Sequence, residues 1–414
     1  MMPQQAPACK ARAVDTPPAA WHAAPMPAWP RGAALLLAVA FLSAPACRAR
    51  PETGSRPSPT PSPAEHSATT LPTPGCRSPD LDAYAGRGRA QTRSLTVGGE
   101  ERTFRIFVPA SAAPADPAPL VLNFHGLGSS GAEQERYSGL LAVAAREGFV
   151  LVSPDGRGQP RRWGIPGLPS EGGLEADLAF VDALVAELGA RLCLDAARIY
   201  ATGLSNGAFF SSALACLRPE MFAAVAPVAG IYFPPGGCKG EVPLLAIHGR
   251  LDEVVPYGPG LIFGLVPYRG AEAYAADWAR QNRCRPEWER LQRSPHVVET
   301  SWRGCKAETV LLTVEDGGHT WPGAFDVPRL GPTNREFSAA DAIWAFFERH
   351  ARRPAPRAGR ARRSAVRTAA ACAIASYRSS SGGSSAESPY RRRRAAAMRA
   401  SARTGFFGST LPCR

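Results

Sequence analysis

The sequence predicts an α/β fold in which a mostly parallel sheet is covered by helices on both faces. Segments such as residues 119–124 and 242–247 are apolar at nearly every position, as expected for strands that are buried on both sides. Between the apolar runs lie segments with apolar residues at helical spacing, such as residues 174–192. This alternation predicts parallel strands joined by crossover helices. In such a sheet, functional side chains gather at the carboxyl ends of the strands.

The individual elements follow in chain order. The first is an antiparallel hairpin, with strands at residues 93–97 and 102–108 and with Gly98 and Gly99 in its turn. Further strands are predicted at residues 119–124, 149–153, 198–202, 223–229, 242–247 and 310–314, and helices at 133–147, 174–192, 208–217, 271–281 and 338–347. Ser338 and Asp341 resemble a capping box at the start of the final helix.

Composition divides the 414 residues into four parts. They are a leader with a signal peptide at 1–46, a disordered spacer rich in Pro, Ser and Thr at 47–75, an α/β catalytic domain at 76–350, and a disordered tail rich in Arg, Ala and Ser at 351–414. Met26 is a candidate for the true start, because a signal peptide follows it. Arg31 is the positive charge of this signal, and the apolar run after it is too short to span a bilayer. Cleavage after Ala46 would leave Cys47 at the N-terminus. Both plain secretion and a membrane tether through lipidated Cys47 stay open.

The net charge of +13 arises in the tail. Residues 351–414 contain fifteen arginines and one acidic residue, Glu387, whereas the other 350 residues carry 33 basic and 34 acidic side chains. The folded body therefore has no electrostatic reason to bind nucleic acid. The tail composition cannot form a core, and a disordered extension is favoured over a segment that binds anionic surfaces.

The segment Gly203-Leu204-Ser205-Asn206-Gly207 lies between a predicted strand and a predicted helix. A G-x-S-x-G sequence in this context is the nucleophile elbow of α/β-hydrolases. The hydroxyl of Ser205 then needs a base, and the base needs a group that orients it. In this fold the acid and the histidine follow the serine along the chain.

Elimination among the seven histidines leaves His319 as the base. His22 and His66 lie in the leader and spacer, His125 and His248 precede the serine or the acid, His296 lacks turn glycines, and His350 ends the last helix. His319 follows the last strand in a loop that is rich in glycine. Asp252, just after the strand at 242–247, is the favoured acid over Asp316, which is expected to shape the loop of His319.

An oxyanion hole is expected from two backbone N–H groups, those of Asn206 and Leu127. Leu127 lies in the His125-Gly126-Leu127-Gly128 turn, which follows the strand at 119–124. This chemistry needs no cofactor. A zinc site is not expected, because the chain has no C-x-x-C pair and no His and Cys cluster at ligand spacing.

A series of motifs resembles the secreted polyhydroxybutyrate-depolymerase-like esterases, which are grouped with feruloyl and acetyl xylan esterases and with lipoprotein esterases. They are Phe124-His125-Gly126, Ser153-Pro154-Asp155-Gly156, the elbow with Ala208, residues 222–230, His248-Gly249 with Asp252 and Val255-Pro256-Tyr257, and Gly317-Gly318-His319-Thr320-Trp321-Pro322-Gly323. The resemblance covers residues 90–350. It implies an α/β-hydrolase fold, hydrolysis of carboxylic esters, and the roles of nucleophile for Ser205, acid for Asp252 and base for His319.

The chain departs from these esterases in the region that shapes the substrate pocket. The loop at 156–173 is shorter than in many relatives, and Trp163 is its only aromatic residue. Trp163, Trp321 and His125 are candidate pocket residues, with buried packing as the alternative for the two tryptophans. No polymer-binding domain is evident, so soluble or small esters are favoured over crystalline polyester.

Six of the ten cysteines lie in the body, and export would favour disulfides among them. Cys284 and Cys305 flank the segment before the last strand and are the first expected pair, as in similar proteins. Cys76, Cys193, Cys216 and Cys238 then allow three connectivities, of which the sequence selects none.

The function expected from these observations is that of an exported serine esterase. It would act on polyhydroxyalkanoate-type, feruloyl or acetyl esters through an acyl-enzyme, as a monomer. A lipase or peptidase of the same fold, and a catalytically silent binding protein anchored at the surface, are the alternatives.

Overall fold

The computed structural model describes residues 70–84, 86–166 and 173–352. The predicted signal peptide, Cys47, most of the spacer and nearly all of the basic tail lie outside these residues. Within them, no helix is long and apolar enough to cross a membrane.

In the described residues, ten strands form one sheet, and two more form a separate hairpin. In chain order the strands are β1 Ala90–Val97, β2 Glu100–Phe107, β3 Ala118–Phe124, β4 Val150–Pro154, β5 Leu194–Leu204, β6 Ala224–Val228, β7 Leu244–Gly249, β8 Gly260–Ile262, β9 Val266–Tyr268, β10 Trp288–Ser294, β11 Val297–Trp302 and β12 Thr309–Val314. The large sheet has the order β1-β2-β4-β3-β5-β6-β7-β12-β11-β10, and β8 pairs with β9. The six central strands, β4 to β12 in that order, run parallel, and an antiparallel pair lies at each edge.

The central strands are apolar because both of their faces are covered. Every residue of β3, β4, β6, β7 and β12 is buried. Alternate side chains of a strand point to opposite faces, and Leu120, Leu122 and Phe124 accordingly belong to one core while Val121 belongs to the other.

Six helices cover the two faces of the sheet. They are α1 Gly131–Ser138, α2 Leu140–Glu147, α3 Gly173–Arg191, α4 Asn206–Leu217, α5 Ala271–Gln281 and α6 Ala339–Glu348. The apolar residues of α1, α2 and α6 pack into one core, and those of α3, α4 and α5 into the other. The predicted α/β architecture is therefore confirmed.

The structure differs from the predicted elements in three places. The helix expected at 133–147 is two helices, because Gly139 between them adopts a φ of 70°. The β8–β9 and β10–β11 hairpins were not expected. The side chains of β10 are exposed along almost its whole length. Its sequence therefore lacks the alternation of apolar and polar residues by which a strand is predicted.

The described residues include 70–75, which belong to the segment predicted as spacer. The amide of Leu71 donates to Asp195 at 2.8 Å, and the amide of Thr73 donates to the Leu194 carbonyl at 2.9 Å. Cys76 forms a disulfide with Cys193. Leu71 and Thr73 therefore pair with β5, although the composition of this segment is that of a linker.

The six body cysteines form three disulfides. Cys284 pairs with Cys305, as expected from similar proteins. The other four pair as Cys76–Cys193 and Cys216–Cys238, which is one of the three connectivities left open by the sequence.

Candidate active site

Ser205 occupies a sharp turn between β5 and α4. Its φ of 57° and ψ of −119° are rare for a residue with a side chain and store backbone strain. The turn is possible because Gly203 and Gly207 press against the end of β3. A Cβ atom on Gly203 would lie 2.5 Å from the Phe124 carbonyl oxygen, and one on Gly207 would lie 2.2 Å from it. The glycines of the G-x-S-x-G sequence are thus required by close backbone contact.

Asp252 and His319 lie in loops that follow two neighbouring parallel strands, β7 and β12. The Nδ1 atom of His319 is 2.7 Å from Oδ2 of Asp252, and both residues are buried. The two loops touch through their backbones, since a Cβ atom on Gly249 would lie 2.3 Å from the carbonyl oxygens of Gly317 and Gly318. The carboxylate therefore fixes the ring of His319 with its proton on Nδ1 and leaves Nε2 as the available base.

Asp252 accepts hydrogen bonds on both of its oxygens. Oδ1 accepts from the amides of Val254 and Val255 at 2.9 and 2.8 Å. Oδ2 faces His319 and also lies 3.3 Å from Nε2 of His248. Burial alone would raise the pKa of Asp252, but the contacts with His248 and His319 lower it to about 2. The carboxylate is consequently charged at any pH at which a histidine can act as a base.

His248 is the residue at this site that reasoning from sequence missed. The order of residues along the chain excludes it as the base, yet its buried ring lies against the acid. Its Nε2–H donates to the Val255 carbonyl at 2.9 Å, which closes the turn that carries Asp252. Its occurrence in the His248-Gly249 and Asp252 motif was the available signal.

A cavity of about 570 Å³ contains both Ser205 and His319. Gly126 and Leu127 line it beside the serine, and a Cβ atom on Gly126 would lie 3.4 Å from Cβ of Ser205. The structure thus brings together Ser205, His319 and the turn that was predicted to supply an oxyanion amide.

The two predicted oxyanion donors are available for a ligand. Within the described chain, neither the Leu127 amide nor the Asn206 amide has a hydrogen-bond acceptor, whereas the neighbouring Gly128 amide donates to Arg161 at 2.7 Å. The side chain of Asn206 serves another purpose. It accepts from the Trp163 amide at 2.7 Å and donates to the Trp163 carbonyl at 3.1 Å.

Asp316, the competing acid, makes different contacts. Its Oδ1 accepts from the side-chain Nδ2 of Asn334 at 2.8 Å, and its Oδ2 lies 3.8 Å from Nδ1 of His296. These contacts join the loop of His319 to the segment that follows it and to the turn between β10 and β11.

The three candidate pocket residues do not line the cavity, so that prediction is corrected. His125, Trp163 and Trp321 are at most 1% exposed. His125 donates from Nδ1 to the Gly126 carbonyl at 2.7 Å and accepts from the Gly156 amide at 2.8 Å, and burial lowers its pKa. The ring of Trp163 stacks on Phe210 at 5.0 Å, and Trp321 packs in the core beneath α1, α2 and α6. These side chains support the loops of the site from behind.

In the described residues, no group of three or more His, Cys, Asp or Glu side chains is placed to hold a metal ion. The side chains at the site instead form a chain from a carboxylate to an imidazole, with a serine hydroxyl in the same cavity. The parallel sheet, the strained serine after β5 and the two loops after β7 and β12 define the chain as an α/β-hydrolase.

Comparison with known proteins narrows this class to one family. A sequence model described as esterase PHB depolymerase matches residues 102–242. The chain is 32% identical over 351 residues to "Putative esterase NocK" of Nocardia uniformis subsp. tsuyamanensis, a match that covers 77% of this chain and 98% of that protein. It is 30% identical over 258 residues to "Probable feruloyl esterase C" of Aspergillus oryzae, with 60% of this chain and 84% of that protein covered.

Among solved structures, an acetyl xylan esterase from Aspergillus awamori matches with a TM-score of 0.42 and 16% identity, over 56% of this chain and 94% of that one. No functional conclusion rests on a likeness of that level. The two relatives by sequence suffice: the chain belongs to the esterase PHB depolymerase family and is a carboxylic ester hydrolase.

Proposed function

We propose that this protein is an exported serine esterase that works through an acyl-enzyme, with Ser205 as nucleophile, His319 as base and Asp252 as the acid that orients the base. The observation that carries the proposal is the 2.7 Å contact between Asp252 and His319, in the loop beside the strained serine.

In the first half of the reaction, Oγ of Ser205 attacks the ester carbonyl while Nε2 of His319 takes the hydroxyl proton. The negative charge that develops on the carbonyl oxygen is stabilised by the amides of Leu127 and Asn206. The tetrahedral intermediate then collapses, and His319 returns the proton to the departing alcohol. Asp252 stays ionised and stabilises the imidazolium.

In the second half, His319 removes a proton from water, and the resulting hydroxide attacks the acyl-enzyme. The second tetrahedral intermediate then collapses, His319 returns the proton to Oγ of Ser205, and the carboxylic acid is released. Every proton moves between Ser205, His319, water and the departing alcohol, so the reaction needs no cofactor.

The proposed substrates are polyhydroxyalkanoate-type, feruloyl or acetyl esters. The name of the family supports the first of these classes, and the name of the Aspergillus oryzae relative supports the second. A cavity of about 570 Å³ is of the size that takes a small ligand, which favours short esters.

Export is supported by the three disulfides, which form in oxidising compartments. The proposed signal peptide would leave Cys47 as the first residue, with or without lipid. The mass of the N-terminal peptide of the exported protein tests both points, and retention of residues 26–46 would refute cleavage after Ala46.

The catalytic proposal predicts that Ser205→Ala abolishes hydrolysis of 4-nitrophenyl acetate, with a loss of at least about 10⁴-fold in kcat. A fluorophosphonate probe should label Ser205 in the unmodified protein and label nothing in the variant. Ser94→Ala, at an exposed position on β1, is the control and should keep full activity.

Persistence of hydrolysis in a correctly folded Ser205→Ala protein would refute the proposed nucleophile. Absence of both labelling and hydrolysis in the unmodified protein would instead favour the catalytically silent binding protein.

A further inference from the structure

The cavity at the proposed active site combines an apolar wall with two arginines. Leu127, Val254, Phe263 and Phe325 contribute to the wall. Three residues that line the cavity carry charge: Glu133 and Arg136 from α1, and Arg329 from the segment after the loop of His319. Both arginines are exposed, so a ligand in the cavity can contact their guanidinium groups.

Both arginines lack a carboxylate partner within the described residues, although acidic residues are nearby. Glu135, next to Arg136 in α1, lies 3.1 Å from Arg105. Asp326, three residues before Arg329, lies 3.0 Å from Arg335. The acidic side chains nearest to the two arginines in sequence are thus engaged by other arginines.

Glu133 does not neutralise the pair either. Its Oε2 accepts a hydrogen bond from the hydroxyl of Ser129 at 2.8 Å, and it forms no ion pair with Arg136, although the two lie three residues apart in α1. With one carboxylate and two guanidinium groups, the cavity lining carries an excess of positive charge.

The residue that follows each arginine is hydrogen-bonded to the loop of His319. The amide of His319 donates to the carbonyl of Leu330 at 2.7 Å, directly after Arg329. The hydroxyl of Tyr137, directly after Arg136, accepts from the amide of Trp321 at 3.4 Å. The backbone segments that carry the two exposed arginines are therefore attached to the loop of the proposed base.

We infer that the preferred substrates are esters that carry a free carboxylate in addition to the bond that is cleaved, and that Arg136 and Arg329 bind this carboxylate. Guanidinium groups match the geometry of a carboxylate and stay charged at all physiological pH values. The apolar wall would hold the carbon chain between the carboxylate and the ester. This inference rests on the proposed function, because it assigns the substrate class of the same site.

The first experiment compares two esters with the same 4-nitrophenyl leaving group, one with a free distal carboxylate and one in which this carboxylate is methylated: mono-4-nitrophenyl adipate and methyl 4-nitrophenyl adipate. Both release 4-nitrophenol, and spontaneous hydrolysis is subtracted. The full-length protein should favour the charged ester in kcat/KM by about three- to tenfold at low salt, the effect expected of exposed ion pairs. The preference should appear mainly in KM and should decline towards 0.5 M NaCl, a concentration at which screening is strong.

The second experiment uses Arg136→Gln, Arg329→Gln and the double variant. In the double variant the ratio of kcat/KM between the two esters should fall to near one. Arg293→Gln is the matched control, because it removes an exposed arginine of β10 that is paired with Glu299 and does not line the cavity. It should keep the ratio of the unmodified protein.

A third comparison places the charge on the alcohol side, with 4-acetoxybenzoate and methyl 4-acetoxybenzoate as substrates. A preference that depends on the arginines in this pair alone would assign the carboxylate to the alcohol portion, and one in the adipate pair alone would assign it to the acyl portion.

Equal or better hydrolysis of the neutral ester in both pairs would overturn the inference, as would a preference that survives in the double variant. If neither member of either pair is hydrolysed, the proposed catalytic function fails instead. The two failures are therefore distinguishable.

Discussion

At the scale of single residues, the acid of the proposed triad has contacts beyond the one with His319. Oδ1 of Asp252 accepts hydrogen bonds from two backbone amides, and Oδ2 is in contact with two histidine rings. Four contacts fix the carboxylate in the orientation that holds His319. His248, which belongs to the strand rather than to the loop, anchors this arrangement to the sheet.

His248→Leu is expected to lower kcat about tenfold and to leave KM nearly unchanged. The physical reason is that the variant loses the hydrogen bond to the Val255 carbonyl, which closes the turn that carries Asp252, and the 3.3 Å contact with the carboxylate. A single hydrogen bond contributes about 1 kcal/mol. His248→Gln, which keeps an N–H donor, is the matched variant and should recover part of the rate. Steady-state kinetics on 4-nitrophenyl acetate give both constants.

An unchanged kcat in a folded His248→Leu protein would contradict the positioning role. A rise in KM alone would do so as well, since His248 does not line the cavity.

At the scale of elements, the described part of the loop between β4 and α3, residues 155–166, is held at several points by buried and partly buried polar contacts. Asn206 of α4 holds the backbone of Trp163, and Asp177 of α3 accepts from the amide of Gly164 at 2.8 Å. Asp177 also pairs with Arg102 at 3.0 Å, and both side chains are almost fully buried. Burial raises the pKa of Asp177 and lowers that of Arg102, which shows that desolvation outweighs their attraction.

Asp177→Ala is expected to destabilise the fold by about 3–5 kcal/mol, because it leaves the guanidinium of Arg102 buried without its partner. Asp182→Ala in the same helix is the control. Asp182 pairs with Arg218 at 3.0 Å, but both side chains are partly exposed, so its loss should cost about 1 kcal/mol or less. Denaturant unfolding measures the two free energies.

If both variants lost a similar free energy of unfolding, burial would not determine how much the Arg102–Asp177 pair contributes to stability. The loop would then owe its position to Asn206 and to packing.

At the scale of the whole molecule, both ends of the described fold are fastened to the central sheet. The N-terminal end pairs with β5 and is joined to it by the Cys76–Cys193 disulfide. At the other end, the hydroxyl of Tyr200 donates to the His350 carbonyl at 2.7 Å. Glu308 lies 3.0 Å from His350 and 2.8 Å from Arg349.

The contacts of Glu308 predict part of the acid sensitivity of the fold. Burial alone would raise the pKa of Glu308, but hydrogen bonds from His350 and Arg349 lower it to about 2. A carboxyl group whose pKa is lower in the folded state stabilises the fold above its unfolded pKa of about 4. This stabilisation is lost as the pH falls from about 4 to 2.

Glu308→Gln should therefore reduce stability near neutral pH and flatten its decline between about pH 4 and pH 2. Urea unfolding at a series of pH values checks both effects. A variant curve that runs parallel to the unmodified one over this range would rule out a contribution from Glu308.

The sequence by itself determined the parts of the protein that depend on short stretches of chain. Apolar runs with buried faces predicted the parallel strands, and the glycines around Ser205 predicted the strained turn. The order of residues along the chain selected Asp252 and His319, and the structure places these two side chains in contact. Their catalytic roles stay a proposal.

Only the tertiary structure decided which distant residues meet. It placed His248 against Asp252, buried Trp163 and Trp321, paired Cys76 with Cys193 across 117 positions, and set Arg136 and Arg329 in one cavity. Periodicity reports which face of an element is apolar, but it carries no information on what packs against that face. The contacts of these residues depend on the order of the strands in the sheet and on the paths of the loops. The local sequence pattern determines neither of these.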